Sequence, residues 1–249
     1  MASSAPTRWP KAAPDGHTLG FVSVNHAVNA ALYRTPFDTL RDVAVLTQIY
    51  SVPLLLVTRP DFPARSVAEL AALVKAKPGE ITFAGTGGAV HLAAEMFAHR
   101  AGAAMTHVPY RGSTAAHPDL MGGRVDLMFD TLPAVLGHVQ TGKLRAIATT
   151  AAQRLPLLPE LPTVAEGGFA GFEASTWGAI IGPAGLPGPV AAKIAADAAA
   201  QLQQVSVRER IAALGATPVG SGPEAAQSFV RAEVEKWQAV VTQAGIEKQ

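Results

Sequence analysis

The sequence predicts an α/β fold with largely parallel sheets. Short apolar runs alternate with helical stretches along the chain, the pattern of strands and helices packed in layers. Hydrophobic residues make up 49% but aromatics only 6%, which suits Ala-rich helices on Val, Ile and Leu strands. Charged residues reach only 16%, below the usual share of roughly a quarter, so intrinsic disorder is excluded.

The elements follow in order. The turn Pro14-Asp15-Gly16 opens a strand over Thr18–Val24, and Val52–Thr58 is a continuous apolar strand. Ser66-Val67-Ala68-Glu69 is a capping box: the hydroxyl accepts from a free amide and the carboxylate reaches back. Val67, Leu70, Ala71 and Val74 then share a helical face, and Pro78-Gly79 ends the helix. Ile81–Ala84 reads as a strand, Gly85–Gly88 as a tight loop and Val90–Arg100 as a helix. Further strands are expected over Met105–Val108, Val125–Phe129, Leu144–Thr149 and Trp177–Ile181, with helices over Ser113–Met121 and Leu132–Thr141. Leu155–Pro162 is Pro-rich and irregular. In the helical last third, Pro189 suits a first turn, Ser206-Val207-Arg208-Glu209 reads as a second capping box, and Gly215 is a stop. Pro223–Gln243 is a final helix that buries Phe229, Val234, Trp237 and Val241.

Composition excludes several function classes. Lys+Arg is 20 and Asp+Glu 19, for a net charge of +1, with no block of like charge, so there is no electrostatic footprint for nucleic acid. Cysteine is absent, which rules out disulfides and thiolate chemistry. No apolar run reaches the roughly 18 residues of a membrane span, and Met1–Lys11 lacks the apolar core of a signal peptide.

Phe83-Ala84-Gly85-Thr86-Gly87-Gly88-Ala89-Val90-His91-Leu92 is the most informative segment. A strand runs through glycines into a helix. Glycine lets the backbone approach a ligand, and a helix start offers unpaired amides and partial positive charge. The loop is therefore an anion seat or a structural turn. As a dinucleotide fingerprint it falls short, because Val90 stands where a third small residue belongs; a nucleotide-dependent enzyme using Gly85–Gly88 is the alternative reading. His91 and Glu95 have metal-ligand spacing without a third ligand, so no metal and no cofactor is expected. Gly16-His17-Thr18-Leu19-Gly20 mimics a nucleophile elbow, but its Thr opens a strand instead of closing one.

His107-Val108-Pro109-Tyr110-Arg111-Gly112-Ser113-Thr114 ends one strand and opens a helix, at the edge where open α/β sheets bind ligands. Arg111 either pairs with a carboxylate or is a solvated surface residue. Asp130, at another strand end, accepts from ligand or loop amides or caps the next helix. Trp177 is a cleft wall or core.

In this order, Ala13-Pro14-Asp15-Gly16-x-Thr18-Leu19, His91-Leu92-Ala93-x-Glu95, His107 to Gly112, Asp126-Leu127-Met128-Phe129-Asp130, Gly142-Lys143-Leu144-Arg145-Ala146, Leu161-Pro162-Thr163-Val164-Ala165-Glu166 and Pro183-Ala184-Gly185 closely resemble the substrate-binding proteins of the tripartite tricarboxylate transporter, the Bug family. The resemblance runs from about Lys11 to Ile246. It implies a two-lobed periplasmic binding protein of type II-like form. Crossover strands are expected near Val52–Thr58 and Trp177–Ile181, with lobe one at 1–56 and 178–249 and lobe two at 57–177. It implies an exported, non-enzymatic, monomeric protein that holds a small carboxylate in an inter-lobe cleft and delivers it to the transporter's membrane subunits. By resemblance, Ser23, Asn25 and His26 face the ligand from lobe one. Gly85, Thr86, Gly87, Gly88, His91, Tyr110, Arg111, Gly112, Ser113, Thr114, Asp130 and Trp177 complete the expected ligand contacts. Family members also carry a signal peptide and a strand, Pro-Gly-Gly turn and helix before the Pro-Asp-Gly turn. Met1–Pro10 stands in their place, so lobe one is expected to be incomplete at its start.

Overall fold

The computed structural model describes residues 12–248; the expectations placed on 1–11 lie outside the described residues. The described residues form two compact units, one of residues 12–51 and 177–248 and the other of Val52–Thr176. It passes from the first to the second within strand β2 (Val43–Thr58) and returns within β7 (Ser175–Pro183). These are the two crossover strands. The passages fall at 51/52 and 176/177, against expected boundaries of 56/57 and 177/178.

The second unit carries the parallel part of the fold. Strands β3 (Thr82–Gly85), β4 (Thr106–Pro109) and β5 (Leu127–Thr131) lie in the order β4-β3-β5, with Phe83 opposite both His107 and Leu127. The expectation of largely parallel sheets needs correction, because among the described residues these are the two strand pairings that are parallel, together with one isolated parallel bridge between Thr149 and Thr163. The end of β2 runs antiparallel to β5 and to β6 (Arg145–Thr149). A long crossover strand brings its own direction to the sheet and needs no helical return. Leu54, Leu55, Leu56 and Val57 are wholly buried, as a continuous apolar run in a sheet covered on both faces requires.

Helix α2 (Val67–Ala76) starts at the expected cap: Ser66 Oγ accepts from the Glu69 amide at 3.2 Å, and Glu69 reaches back to the Arg65 amide at 2.7 Å. Helices α3 (Gly88–Ala101), α4 (Ser113–Met121) and α5 (Leu132–Gln140) each follow a parallel strand. Leu92, Met96 and Phe97 anchor α3, with Phe97 tilted against Phe129 at 5.9 Å.

In the first unit, β1 (Gly20–Ser23) pairs antiparallel with β7, and β8 (Thr217–Pro218) with Tyr50 and Ser51 in the middle of β2. Helix α1 (Asn25–Leu32) packs on α8 (Pro223–Gln243), whose buried stripe Ala226, Val230, Val234, Trp237 and Val241 follows the helical period. Phe229, expected in that stripe, is only half-buried. Helix α6 spans Gly188–Leu202, with Pro189 in its first turn as expected. The second capping box does not form. Gln204 takes the extended N-cap conformation, so α7 (Val205–Ala213) already contains Ser206 and Glu209.

Candidate functional site

The three parallel strands of the second unit end on one edge, and each hands over to a helix there. Glycine makes the first handover possible. Gly87 and Gly88 adopt φ of 81° and 57°, a region that residues with a Cβ rarely enter. The chain thereby turns at once from β3 into α3. No side chain caps α3. The His91 amide closes on the Gly87 carbonyl at 3.4 Å, and the amides of Gly88, Ala89 and Val90 have no acceptor among the described residues.

The same arrangement recurs at α4. Gly112 is its N-cap without a side-chain cap, and the Ala115 and Ala116 amides return to the Gly112 carbonyl. The amides of Ser113 and Thr114 are left without an acceptor among the described residues. At α5 the N-cap is Thr131, not Asp130, and Pro133 removes a donor from the first turn. None of the three first turns holds an acidic residue. Their partial positive charge is therefore not neutralised locally, and chemically the edge suits a small anion held by main-chain N–H groups.

The rings beneath the loop explain the first glycine. A Cβ on Gly85 would lie 2.3 Å from His107 Nε2, so only glycine fits. His107 stacks between Phe83, at 5.1 Å, and His91, at 4.0 Å between centroids. His91 in turn meets Glu95 at 3.1 Å. Burial, and then the charge of the facing His91, hold His107 below the ordinary histidine range; the Gly85 carbonyl and Glu95 pull weakly the other way.

The structure thus brings Gly85, Thr86, Gly87, Gly88, His91, Tyr110, Arg111, Gly112, Ser113 and Thr114 to one edge of the second unit. Not all of them point their functional groups outward. The Tyr110 hydroxyl donates to Asp119 at 2.8 Å; burial, and that carboxylate, hold the phenol above its usual range. Arg111 is exposed. Asp130 is 1% exposed, pairs with His117 at 2.9 Å and accepts from the Thr131 amide at 2.7 Å. Its oxygens are engaged by the protein, so of its readings acceptance from a loop amide is the one the structure shows.

The first-unit residues stand at the junction of β1 and α1. Ser23 is half-buried and Asn25 exposed. His26 stacks on Phe37, and its Nε2 lies 3.2 Å from the Thr39 carbonyl. Burial lowers the His26 pKa, partly opposed by that carbonyl. Trp177 is wholly buried and donates to Glu233 at 2.8 Å. Of its two readings, core is the one realised.

Sequence reasoning missed His107. The signal was present: the strand ends Phe83-Ala84-Gly85 and His107-Val108-Pro109, laid in parallel register, put His107 beside Phe83 and the glycine loop. The second unit also has a cavity of about 590 Å³, lined by Val139, Leu144, Leu157 and Leu161 with Arg145. It is a poor anion site, since Arg145 already spends Nη1 on the Phe62 carbonyl at 3.1 Å.

Comparison with known proteins places these features in context. Residues 5–246 match a family model described as the tripartite tricarboxylate transporter family receptor. Protein BugT of Bordetella pertussis is 38% identical over 94% of the chain and 74% of its own length. Among solved structures, the R. palustris protein Rpa4515 with adipate is 34% identical with a TM-score of 0.81, covering 96% of this chain and 82% of that one. MatC from Rhodopseudomonas palustris with bound malate is 30% identical, with a TM-score of 0.76 over 94% and 82%.

Proposed function

The chain belongs to the tripartite tricarboxylate transporter receptor family, and from that membership we propose that it is a solute-binding protein that captures a small carboxylate for the membrane subunits of such a transporter. Its fold is that of the periplasmic binding proteins, and the periplasm is the proposed place of work. The observation that carries the reading is the edge of the second unit, where a glycine turn and two uncapped helix starts leave amides of Gly88, Ala89, Val90, Ser113 and Thr114 without an acceptor among the described residues. Such donors are oriented before the ligand arrives and bind a carboxylate with charge-assisted hydrogen bonds. They are main-chain groups, so they recognise the carboxylate more than the rest of the molecule. Relatives solved with adipate and with malate fit that tolerance.

The proposal is one of binding without turnover, in which the ligand leaves chemically unchanged. A thermal-shift screen of mono-, di- and tricarboxylates, aromatic acids and nicotinate-like acids, with adipate and malate among them, tests it. A saturable rise in melting temperature with one carboxylate class, confirmed by calorimetry and by recovery of intact ligand, is expected. Shifts with nucleotides alone would favour the enzyme reading of the Gly85–Gly88 loop and end this one.

A further inference from the structure

We propose that the stacked His91–His107 pair is the positioning element of the carboxylate seat, clamping the Gly85–Gly88 loop while His107 is neutral and releasing it when His107 takes up a proton. This deepens the reading of that loop as the seat and rests on it.

The clamp is a closed circuit of contacts. The His107 ring presses on Gly85, with Nε2 2.3 Å and Cδ2 2.6 Å from where a Cβ would stand. Its face lies on the His91 ring, 4.0 Å away and tilted by 25°. The His91 amide donates to the Gly87 carbonyl at 3.4 Å, and Glu95 fixes the His91 ring from the far side at 3.1 Å. Both ends of the loop are thus tied to the same pair of rings. Moving His107 removes the support under Gly85 and the surface on which His91 rests.

A proton has no comfortable place in this circuit. His107 Nε2 is buried and has no hydrogen-bond partner among the described residues. The cation carries N–H on both ring nitrogens, so protonation leaves a buried donor unpaired against the Cα of a glycine. Two titratable groups act on the ring, His91 and Glu95, both from α3; β3 contributes uncharged Phe83 and Gly85. Burial and then His91 oppose the charge, and they outweigh the Gly85 carbonyl and Glu95, which favour it. The protonated ring therefore swings away, and the amides it kept aligned lose their direction.

The sign follows. The binding-competent loop excludes the proton, so carboxylate affinity falls as pH drops through the His107 transition. A histidine acting only as a positive charge behind the seat would give the opposite slope.

The test needs no ligand at first. In the full chain, NMR follows the Gly87 and Gly88 amides and the His107 ring from pH 8 to 5. All three should titrate together, with a midpoint below about 6.5. His91→Gln removes the ring that opposes charge on His107, so the midpoint should move upward. A packing role alone would leave it in place. Flat loop amides under a titrating ring, or an unmoved midpoint in His91→Gln, overturns the clamp. With adipate in calorimetry, affinity should weaken by up to about tenfold per pH unit below the midpoint, and His107→Asn should flatten that slope. Affinity that strengthens on acidification overturns the proposal. If no carboxylate binds at any pH, the reading of the seat has failed, and the loop amides still decide the clamp.

Discussion

Two strand-to-helix junctions of this chain share a layout and differ in construction. In the second unit, β3 passes into α3 through Gly87 and Gly88, both at positive φ, and the first amides of the helix are left free. In the first unit, β1 passes into α1 through Val24, a residue in the ordinary helical region with φ of −47°. No glycine lies between Ser23 and Leu32, and the Val24 amide is already used on the Trp177 carbonyl at 3.1 Å. One junction exposes its backbone and is supported by rings from beneath. The other spends its N-cap amide, leaves the first-turn amide of Asn25 without an acceptor among the described residues, and is held by a buried core. That core centres on Glu233, which accepts from Trp177 at 2.8 Å, from Trp237 at 3.1 Å and from Lys236. The difference is one of degree: amides bind ligand only where the protein itself has not spent them, and α3 leaves three first-turn amides unspent among the described residues, at a glycine turn, where α1 leaves that of Asn25 and spends that of Val24.

The largest effect should come from breaking the exposed junction. Gly87→Val places a β-branched residue at φ of 81°, at a strain of about 1–3 kcal/mol. A Cβ there meets nothing within 4 Å, so the side chain projects into the space above the loop. Two lost charge-assisted bonds would weaken adipate binding more than about hundredfold. Unchanged affinity by calorimetry would show that the loop is only a turn.

Breaking the consumed junction should instead appear as lost stability. Glu233→Ala strands two buried indole N–H groups and should cost about 3 kcal/mol in urea unfolding. Glu233→Gln keeps one acceptor and should cost roughly half as much. Equal losses in the two variants would mean that Glu233 fills space and that the two indoles do not depend on it.

Much of this contrast was legible in the sequence, and the rest was lost for physical reasons. Ser113–Met121 and Pro223–Gln243 come out with the expected bounds, because Gly112 and Pro223 mark starts that local sterics enforce. Ser66 and Glu69 formed their box for the same reason. Ser206 and Glu209 did not, because the two-residue link after Leu202 puts the cap at Gln204. Helix α1 gave no signal: it has eight residues, and its N-cap makes no side-chain bond. Asp130 and Trp177 could not be placed from sequence, since their partners are 13 and 56 residues away. His107 was hidden in the same way, since its role depends on lying next to Phe83 across the sheet.

Acid should weaken both junctions, and it sharpens the comparison because one half-buried histidine sits at each. Burial is the main cause that lowers the pKa of His26 in the first unit and of His107 in the second. Between those lowered values and about 6.5, the unfolded chain binds more protons than the folded one, so stability falls as pH drops through the window. Above it the rings are neutral in both states and contribute no slope. The urea midpoint should therefore decline between pH 7 and 5, and His26→Asn and His107→Asn should each remove part of the decline. A midpoint that rises on acidification would mean that the two rings gain partners when charged.

The smallest effect is expected at Arg111, and it tests the comparison most closely. Its guanidinium is exposed one residue before Gly112, the N-cap of α4, so it is the obvious side chain to credit with binding an anion. A solvated charge is screened, however, and such pairs are worth about 0.2–1 kcal/mol. Arg111→Ala should then weaken adipate binding no more than about fivefold, and the loss should shrink further in high salt. The amides of Gly88 and Ser113 are fixed in the fold and lose little to salt, so affinity in Arg111→Ala should also depend less on ionic strength than in the parent chain. A loss beyond about hundredfold, equal to that of Gly87→Val, would require a desolvated guanidinium pair. The seat would then be built from a side chain, and the glycine turn with its three unspent amides would no longer distinguish the α3 junction from the one at Val24.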